Sequence, residues 1–289
     1  HIMSGAQEQR PITLEQTMEG WDSSAVNYNE VMSLSRFTQK FALVALDQTI
    51  PPNTTLPSGI KIIDIGAGSG ALSIPAAERV KPYGGTVLAT DFAPSMINVL
   101  NKKIGGLPIE TKVMDGQCLE CADNTFDYAF SVFALIFFPD QLKGAKEMYR
   151  VLHPGGKAAI TSWSQSSPIG SSMGACLTRL YSEAGLAVPP PPAYFPVSSL
   201  ADTKVFEKLL VDAGFKNVQI TPSAQSFDID IDTFIKFLDS NPVITNTKAS
   251  LPESIRHKFN DTFAATLREK FTNGQLGGEY LAYIAVAEK

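Results

Sequence analysis

Three glycines in five residues, Gly66, Gly68 and Gly70, follow the apolar run Ile62-Ile63-Asp64-Ile65 and precede a second apolar run at Ala71-Leu72. Glycine permits the positive φ of a sharp strand-to-helix turn and lets a ligand pass close to the backbone. The helix that follows offers unpaired N–H groups and partial positive charge to an anionic group. Asp91 stands twenty-one residues beyond Gly70, at the end of a second β-rich run. A carboxylate there can accept hydrogen bonds from both hydroxyls of a ribose. Together these residues point to a nucleoside cofactor. The turn alone leaves its identity open, because Gly66, Gly68 and Ala71 also satisfy the weaker G-x-G-x-x-A form of a nicotinamide site.

Residues of this kind need a parallel sheet to hold them, and the periodicity supplies one. From Ile60 short β-rich runs alternate with amphipathic runs, the pattern of βαβ units. Strands are expected over 61–65, 86–91, 110–115, 126–132 and 157–163, and helices over 72–80, 95–103 and 141–152. A polar, Pro-rich stretch follows Trp163, with Pro189 to Pro192 reading as a stiff spacer. A helix over 202–213 comes next, with Asp202 as its cap and Gly214 as its end. A sixth strand is expected over 217–221, then helical patterns through Ile231/Phe234/Ile235/Leu238 and Ile255/Phe259/Phe263/Leu267/Phe271, and a final strand over 280–287. Leu34, Phe37, Phe41 and Val44 place a further helical segment before the breakers Pro51, Pro52 and Pro57.

Further residues sit at fixed places in this frame. Asp115-Gly116-Gln117 follows strand three, Asp123-Asn124-Thr125-Phe126-Asp127 leads into strand four, Ser131-Val132-Phe133-Ala134-Leu135 ends it, and Leu152-His153-Pro154-Gly155-Gly156 precedes strand five. In this order and spacing the set resembles the class I S-adenosylmethionine-dependent methyltransferases, in particular the small-molecule branch with the ubiquinone and menaquinone biosynthesis enzymes. The resemblance covers residues 60–163, with a fainter echo over 205–218.

It implies a doubly wound α/β fold, a mostly parallel seven-stranded sheet in the order 3-2-1-4-5-7-6 under a helical cap. It implies S-adenosylmethionine as cofactor and S-adenosylhomocysteine as product. Gly66, Ala67, Gly68 and Gly70 would line the methionine part, Asp91 would hold the ribose, and Phe92 and Met96 would flank the adenine. Asp115 would accept from the adenine amino group beside Gly116 and Gln117, with Ser131 and Phe133 beneath the sulfonium. Core packing is the competing reading for Phe92, Met96 and Phe133.

The chain departs from its relatives in two places. Ile136, Phe137 and Phe138 stand where many carry histidine, which makes the acceptor side more apolar, and Ala93 stands where a helix-capping serine is usual. Strand four also lacks the Pro-Pro-Tyr or Pro-Pro-Phe of enzymes that methylate exocyclic amines of bases. The expected organisation is an N-terminal helical cap segment over 1–58, a cofactor-binding core over 59–165, a cap insertion over 166–200, a core helix and strand over 201–227, cap helices over 228–275 and a final core strand over 276–289. Aromatic residues in these additions make Trp21, Tyr28, Phe137, Trp163 and Tyr194 candidates for contact with a small, largely apolar methyl acceptor, including specialised metabolites.

No catalytic base is identifiable. A sulfonium is an activated donor, so alignment supplies much of the rate, and a missing base favours sulfur, nitrogen or carbon acceptors over hydroxyls. That absence also leaves open a methyltransferase-fold protein that binds the cofactor without transferring methyl, while the glycine turn leaves an NAD(P)-dependent oxidoreductase. Cys118-x-x-Cys121 has metal-pair spacing but no second pair, so core packing is expected and no metal. His153 is expected to be structural and His257 to face solvent.

Composition excludes other classes. The 289 residues carry 24 Lys and Arg against 29 Asp and Glu, a net charge of −5 with no basic run to track a phosphate backbone. Nucleic acid is therefore not an expected partner. No apolar stretch approaches the roughly 20 residues of a membrane span. The start of the chain lacks a signal-peptide layout, His1-Ile2 ahead of Met3 read as residues left by cloning, and three cysteines suit a reducing compartment, the cytoplasm. Oligomeric state is not legible.

Overall fold

The computed structural model describes residues 10–165 and 167–289; the reading of His1 and Ile2 lies outside them. Seven strands form one sheet: β1 Lys61–Ile65, β2 Thr86–Asp91, β3 Ile109–Val113, β4 Phe126–Val132, β5 Leu152–Trp163, β6 Lys216–Ser226 and β7 Glu279–Glu288. Their spatial order is β3-β2-β1-β4-β5-β7-β6. The first five run parallel, with Ile63 opposite Leu88 on one side and Ala129 on the other. β7 is antiparallel to both of its neighbours. This is the doubly wound, mostly parallel arrangement expected.

Alternation along the strands assigns the two faces. Ile62, Val87, Phe130, Ala159 and Ile284 pack with α2 (Phe37–Thr49) and α3 (Ser73–Val80). Ile63, Ala129, Ala158 and Ile160 face the other way and join α5 (Gln141–Val151) and α7 (Thr203–Asp212) in the larger core. Near-continuous apolar strands are what a sheet covered on both faces requires. α4 (Pro94–Asn101) closes the edge beside β2 and β3. Asp202 caps α7 by accepting from the Lys204 amide at 2.8 Å, and Gly214 leaves it with φ 109°. No helix among the described residues is long and apolar enough to cross a membrane.

The remaining helices gather over the C-terminal edge of the parallel strands, and here the expected boundaries change. The N-terminal segment is two helices, α1 (Met18–Ser35) and α2, broken where Arg36 adopts φ 52°. α2 lies directly on β5, β6 and β7 as part of the layer covering the sheet. The stretch after Trp163 contains a full helix, α6 (Pro168–Glu183), capped by Ser167. Its apolar stripe, Ile169, Met173, Cys176 and Leu180, has helical spacing but is diluted by Gly and Ser.

α8 (Ile231–Lys236) is followed by α9 (Pro242–Ala249), whose start is marked by Asn241 accepting from the Val243 and Ile244 amides. The single late helix expected over 255–271 is split into α10 (Glu253–Arg256) and α11 (Phe259–Lys270). Ile229–Asp230 and Gln275–Leu276 form a small antiparallel ribbon. β5 begins at Leu152 and β6 runs on to Ser226, both longer than their apolar runs, because backbone pairing continues past them.

Candidate active site

Beyond Ile65 the chain turns through Gly66 (φ 72°), Gly68 (φ 52°) and Gly70 (φ 93°) into α3. A Cβ on Gly66 would stand 2.2 Å from that of Ala134, so glycine is what lets this loop close on the segment after β4. A Cβ on Gly68 would meet nothing within 4 Å, which places that residue against open space. Asp91, 7% exposed, accepts from the Gly68 amide through Oδ2 and from the Ala93 amide through Oδ1, both at 2.9 Å. Burial pushes its carboxyl up to about 6, against the pull of those amides.

Asp64 lies inside β1 and is 1% exposed. Its Oδ2 accepts from Ser73 Oγ at 2.6 Å, while its Oδ1 is buried with no partner. Burial, reinforced by the charge of Asp91, pushes its carboxyl up to about 7.

The loop after β3 is pinned at both ends. Asp115 Oδ1 accepts from the Gln117 amide, and Gln117 Oε1 from the Asp140 amide, each at 2.8 Å. Arg150 donates to the carbonyls of Leu119 and Cys121 while pairing with Glu147 and Asp123. Cys121 packs half-buried against the main core, whereas Cys118 is exposed, so core packing does not describe that thiol.

A cavity of about 630 Å³ joins these residues to an aromatic compartment. Gly66, Gly68, Asp91, Phe92, Met96, Asp115, Gly116, Gln117 and Phe133 line one part of it. Trp21, Tyr28, Phe137 and Trp163 are also in its wall. Phe133 adopts φ 55°, a conformation that costs a non-glycine residue free energy, and is held by its amide donating to the buried Thr161 Oγ1 at 2.8 Å. Its ring stacks on Trp163 with centroids 3.8 Å apart and planes 4° from parallel. Among the described residues the cavity wall contains no His, Glu, Lys or Arg.

Four expected residues are elsewhere. Ala67 packs against Ala89 and Leu100. A Cβ on Gly70 would strike Leu100 at 2.5 Å, which makes that glycine a packing requirement. Ser131 is fully buried and accepts from the Leu135 amide at 3.1 Å, so its hydroxyl serves the turn rather than the cavity. Tyr194 lies under the Arg10 guanidinium, and its neighbour Phe195 takes the place in the wall. His153 and His257 are both exposed.

α1 forms a roof over the cofactor side. Trp21 and Tyr28 pack with Ala93, Met96 and Phe92, and the Trp21 ring meets Phe137 edge-on at 5.3 Å. Asp22 Oδ1 accepts from the Ser95 amide at 2.7 Å, supplying from another helix the cap that Ala93 lacks. Lys103 Nζ donates to Ser69 O at 3.1 Å and also to Asn29 Oδ1, tying the glycine loop to the roof. Burial raises the Tyr28 phenol to about 12, with the Asp91 charge adding to it.

Residues 62–156 match the methyltransferase domain family. A demethylmenaquinone methyltransferase from Bacillus mycoides (strain KBAB4) is 31% identical over 174 residues, which make up 57% of this chain and 73% of that one. The chain belongs to the class I S-adenosylmethionine-dependent methyltransferases. It is also 35% identical over 107 residues to the uncharacterized protein Rv1405c of Mycobacterium tuberculosis (strain ATCC 25618 / H37Rv), covering 36% of this chain and 38% of that one. The chain spans about two fifths to one half of the length of the first curated relatives it matches. The [4+2]-cyclase SpnF has the same fold, with a TM-score of 0.58 at 15% identity over 96% of this chain and 97% of that one.

The residues present fit the family's cofactor. That molecule carries an ammonium, a sulfonium and two ribose hydroxyls, all of which favour acceptors. Asp91 and Asp115 supply carboxylate acceptors in the cavity wall, beside the open space at Gly68. Motif reading passed over Phe227 and Asn27, which also line the cavity.

Proposed function

We propose that the chain transfers a methyl group from S-adenosylmethionine to a small, largely apolar molecule. The observation that carries this reading is a single cavity running from the glycine loop and Asp91 into an aromatic compartment. When bound, the cofactor would supply an electrophilic methyl to the acceptor's electron pair and keep the carbon–sulfur pair on its own sulfur, and any proton the acceptor sheds would pass to solvent.

The chain's own residues bind and orient. Asp91 would accept from the ribose hydroxyls and Asp115 from the adenine amino group, with Phe92 and Met96 against the ring. The Phe133–Trp163 stack walls the cavity between the glycine loop and the aromatic compartment. Alignment of this kind contributes roughly 7 to 11 kcal/mol in favourable cases. Among the described residues the wall has no His, Glu, Lys or Arg, which favours an acceptor that is nucleophilic on its own account, as a thiol with pKa about 8.5, an amine or an electron-rich carbon is. A specialised metabolite and a cytoplasmic location, where three free cysteines stay reduced, complete the reading.

The test is release of S-adenosylhomocysteine during incubation with S-adenosylmethionine and a panel of hydrophobic thiols, amines and phenols. Turnover with at least one apolar member supports the reading. Cofactor binding with no turnover across the panel assigns the chain instead to the non-methylating members of this fold.

A further inference from the structure

The aromatic compartment has two kinds of wall. The sheet side brings Phe133, Trp163, Tyr280 and Phe227 to the ends of the neighbouring strands β4, β5, β7 and β6. The cap side is different: α1 and the connection between α8 and α9 contribute Asn27, Ser240 and Asn241, next to the apolar Phe237, Val243 and Ile244.

The fold sets the direction of these polar groups. Asn27 Nδ2 donates to Ser240 Oγ at 2.6 Å, which joins α1 to the α8–α9 connection. Asn241 Oδ1 accepts from the Val243 and Ile244 amides at 3.0 and 3.3 Å. Only the oxygen of a side-chain amide can accept, so those two donors fix how the group lies and turn its NH2 away from α9. Among the described residues neither Asn241 Nδ2 nor Asn27 Oδ1 has a protein hydrogen-bond partner. Asn27, Ser240 and Asn241 are all partly exposed, and neither open atom is sealed inside the protein. A donor and an acceptor thus stand free on the two sides of Ser240.

Charge decides what they can take. Among the described residues Asp91 and Asp115 are the charged side chains in the cavity wall, and both stand on the cofactor side. An ionised group at Ser240 would leave water without a counter-charge, which costs far more than placing a neutral group with the same hydrogen bonds there.

We infer that Asn241, with Ser240 and Asn27 beside it, is a specificity-determining subsite for an uncharged oxygen of the methyl acceptor, a carbonyl or hydroxyl that accepts from Asn241 Nδ2. The inference rests on the cavity being the acceptor site. It narrows the acceptor to a molecule with an apolar body against the aromatic edge and a neutral polar end toward the cap. Acceptors that carry a carboxylate or phosphate at that end are rejected.

The test is equilibrium dialysis of 2-acetylnaphthalene, 2-naphthoate and naphthalene against the full chain saturated with S-adenosylhomocysteine, wild type and Asn241→Asp, whose cofactor affinities are first measured by calorimetry. Aspartate caps a helix as well as asparagine does, so the variant keeps α9 and loses only the NH2 donors. The wild type should bind the ketone about fivefold more tightly than naphthalene. It should bind the carboxylate at least about tenfold more weakly than the ketone. Asn241→Asp should erase the advantage of the ketone over naphthalene, while naphthalene binding and cofactor affinity stay unchanged. No such advantage in the wild type, or the same advantage in both proteins, overturns the inference. So does a carboxylate bound as tightly as the ketone, or failure of all three compounds to bind the cofactor-loaded chain. Absence of S-adenosylhomocysteine binding in the wild type would instead strike at the functional reading beneath it.

Discussion

Two buried carboxylates stand beside the glycine loop, and burial pushes both above the ordinary carboxylate range, Asp91 to about 6 and Asp64 to about 7. The folded chain without cofactor therefore holds protons that the unfolded chain has already released. Their contribution to stability is present in full below about pH 4 and is lost as pH rises through about 6 and 7. Hydroxyl donors on the cofactor favour the ionised form of Asp91, which can then only accept, so binding should strengthen as pH rises through about 6. Thermal unfolding with and without S-adenosylhomocysteine should show a larger ligand-induced rise at pH 8 than at pH 5; an equal or smaller rise at pH 8 contradicts the assignment. Asp64→Asn should flatten the part of the stability dependence near pH 7, read by thermal unfolding of the ligand-free chain. Asp91→Ala should weaken cofactor binding at least tenfold, and unchanged affinity in calorimetry would remove the ribose assignment. Replacing Cys118 and Cys121 by serine should leave methyl transfer largely intact in the turnover assay. The glycine turn and Asp91 were legible in the sequence because their meaning is local. The role of Ser131 was not, since a hydroxyl's role depends on which neighbour packing brings to it, here the Leu135 amide.

Among the elements, α1 carries the most consequence for function. Trp21 and Tyr28 seat it on α4, and Asp22 fastens it by capping that helix from outside. Removing a cap costs about 0.5–2 kcal/mol. Asp22→Ala should therefore loosen the roof and speed S-adenosylhomocysteine dissociation several-fold, up to roughly thirtyfold, in stopped-flow fluorescence, and an unchanged rate would show that α1 does not gate the cofactor. The sequence marked Ala93 as a missing cap, and the replacement lies seventy-one residues earlier, beyond the reach of any local pattern. α6 was hidden for a different reason. Its Gly and Ser residues dilute a helical stripe whose burial comes from α11 and not from its own propensity.

At the scale of the whole molecule, five parallel strands bring the glycine loop, Asp91 and Asp115 to their C-terminal ends, and β7 and β6 extend the same edge into an aromatic compartment roofed by helices. The alternation of apolar strands and amphipathic helices made a parallel α/β sheet legible, and its strand order was legible through the family that the ordered motifs resemble. The arrangement of α6, α8, α9 and α11 was not, because these helices meet one another across long separations in sequence and their contacts are tertiary. The central claim, that the cavity takes S-adenosylmethionine, is tested most directly by calorimetric titration with S-adenosylmethionine, S-adenosylhomocysteine and NADH in parallel. Tight binding of the two sulfur nucleosides and none of NADH is the expected result; binding of NADH alone would contradict it and leave only the fold.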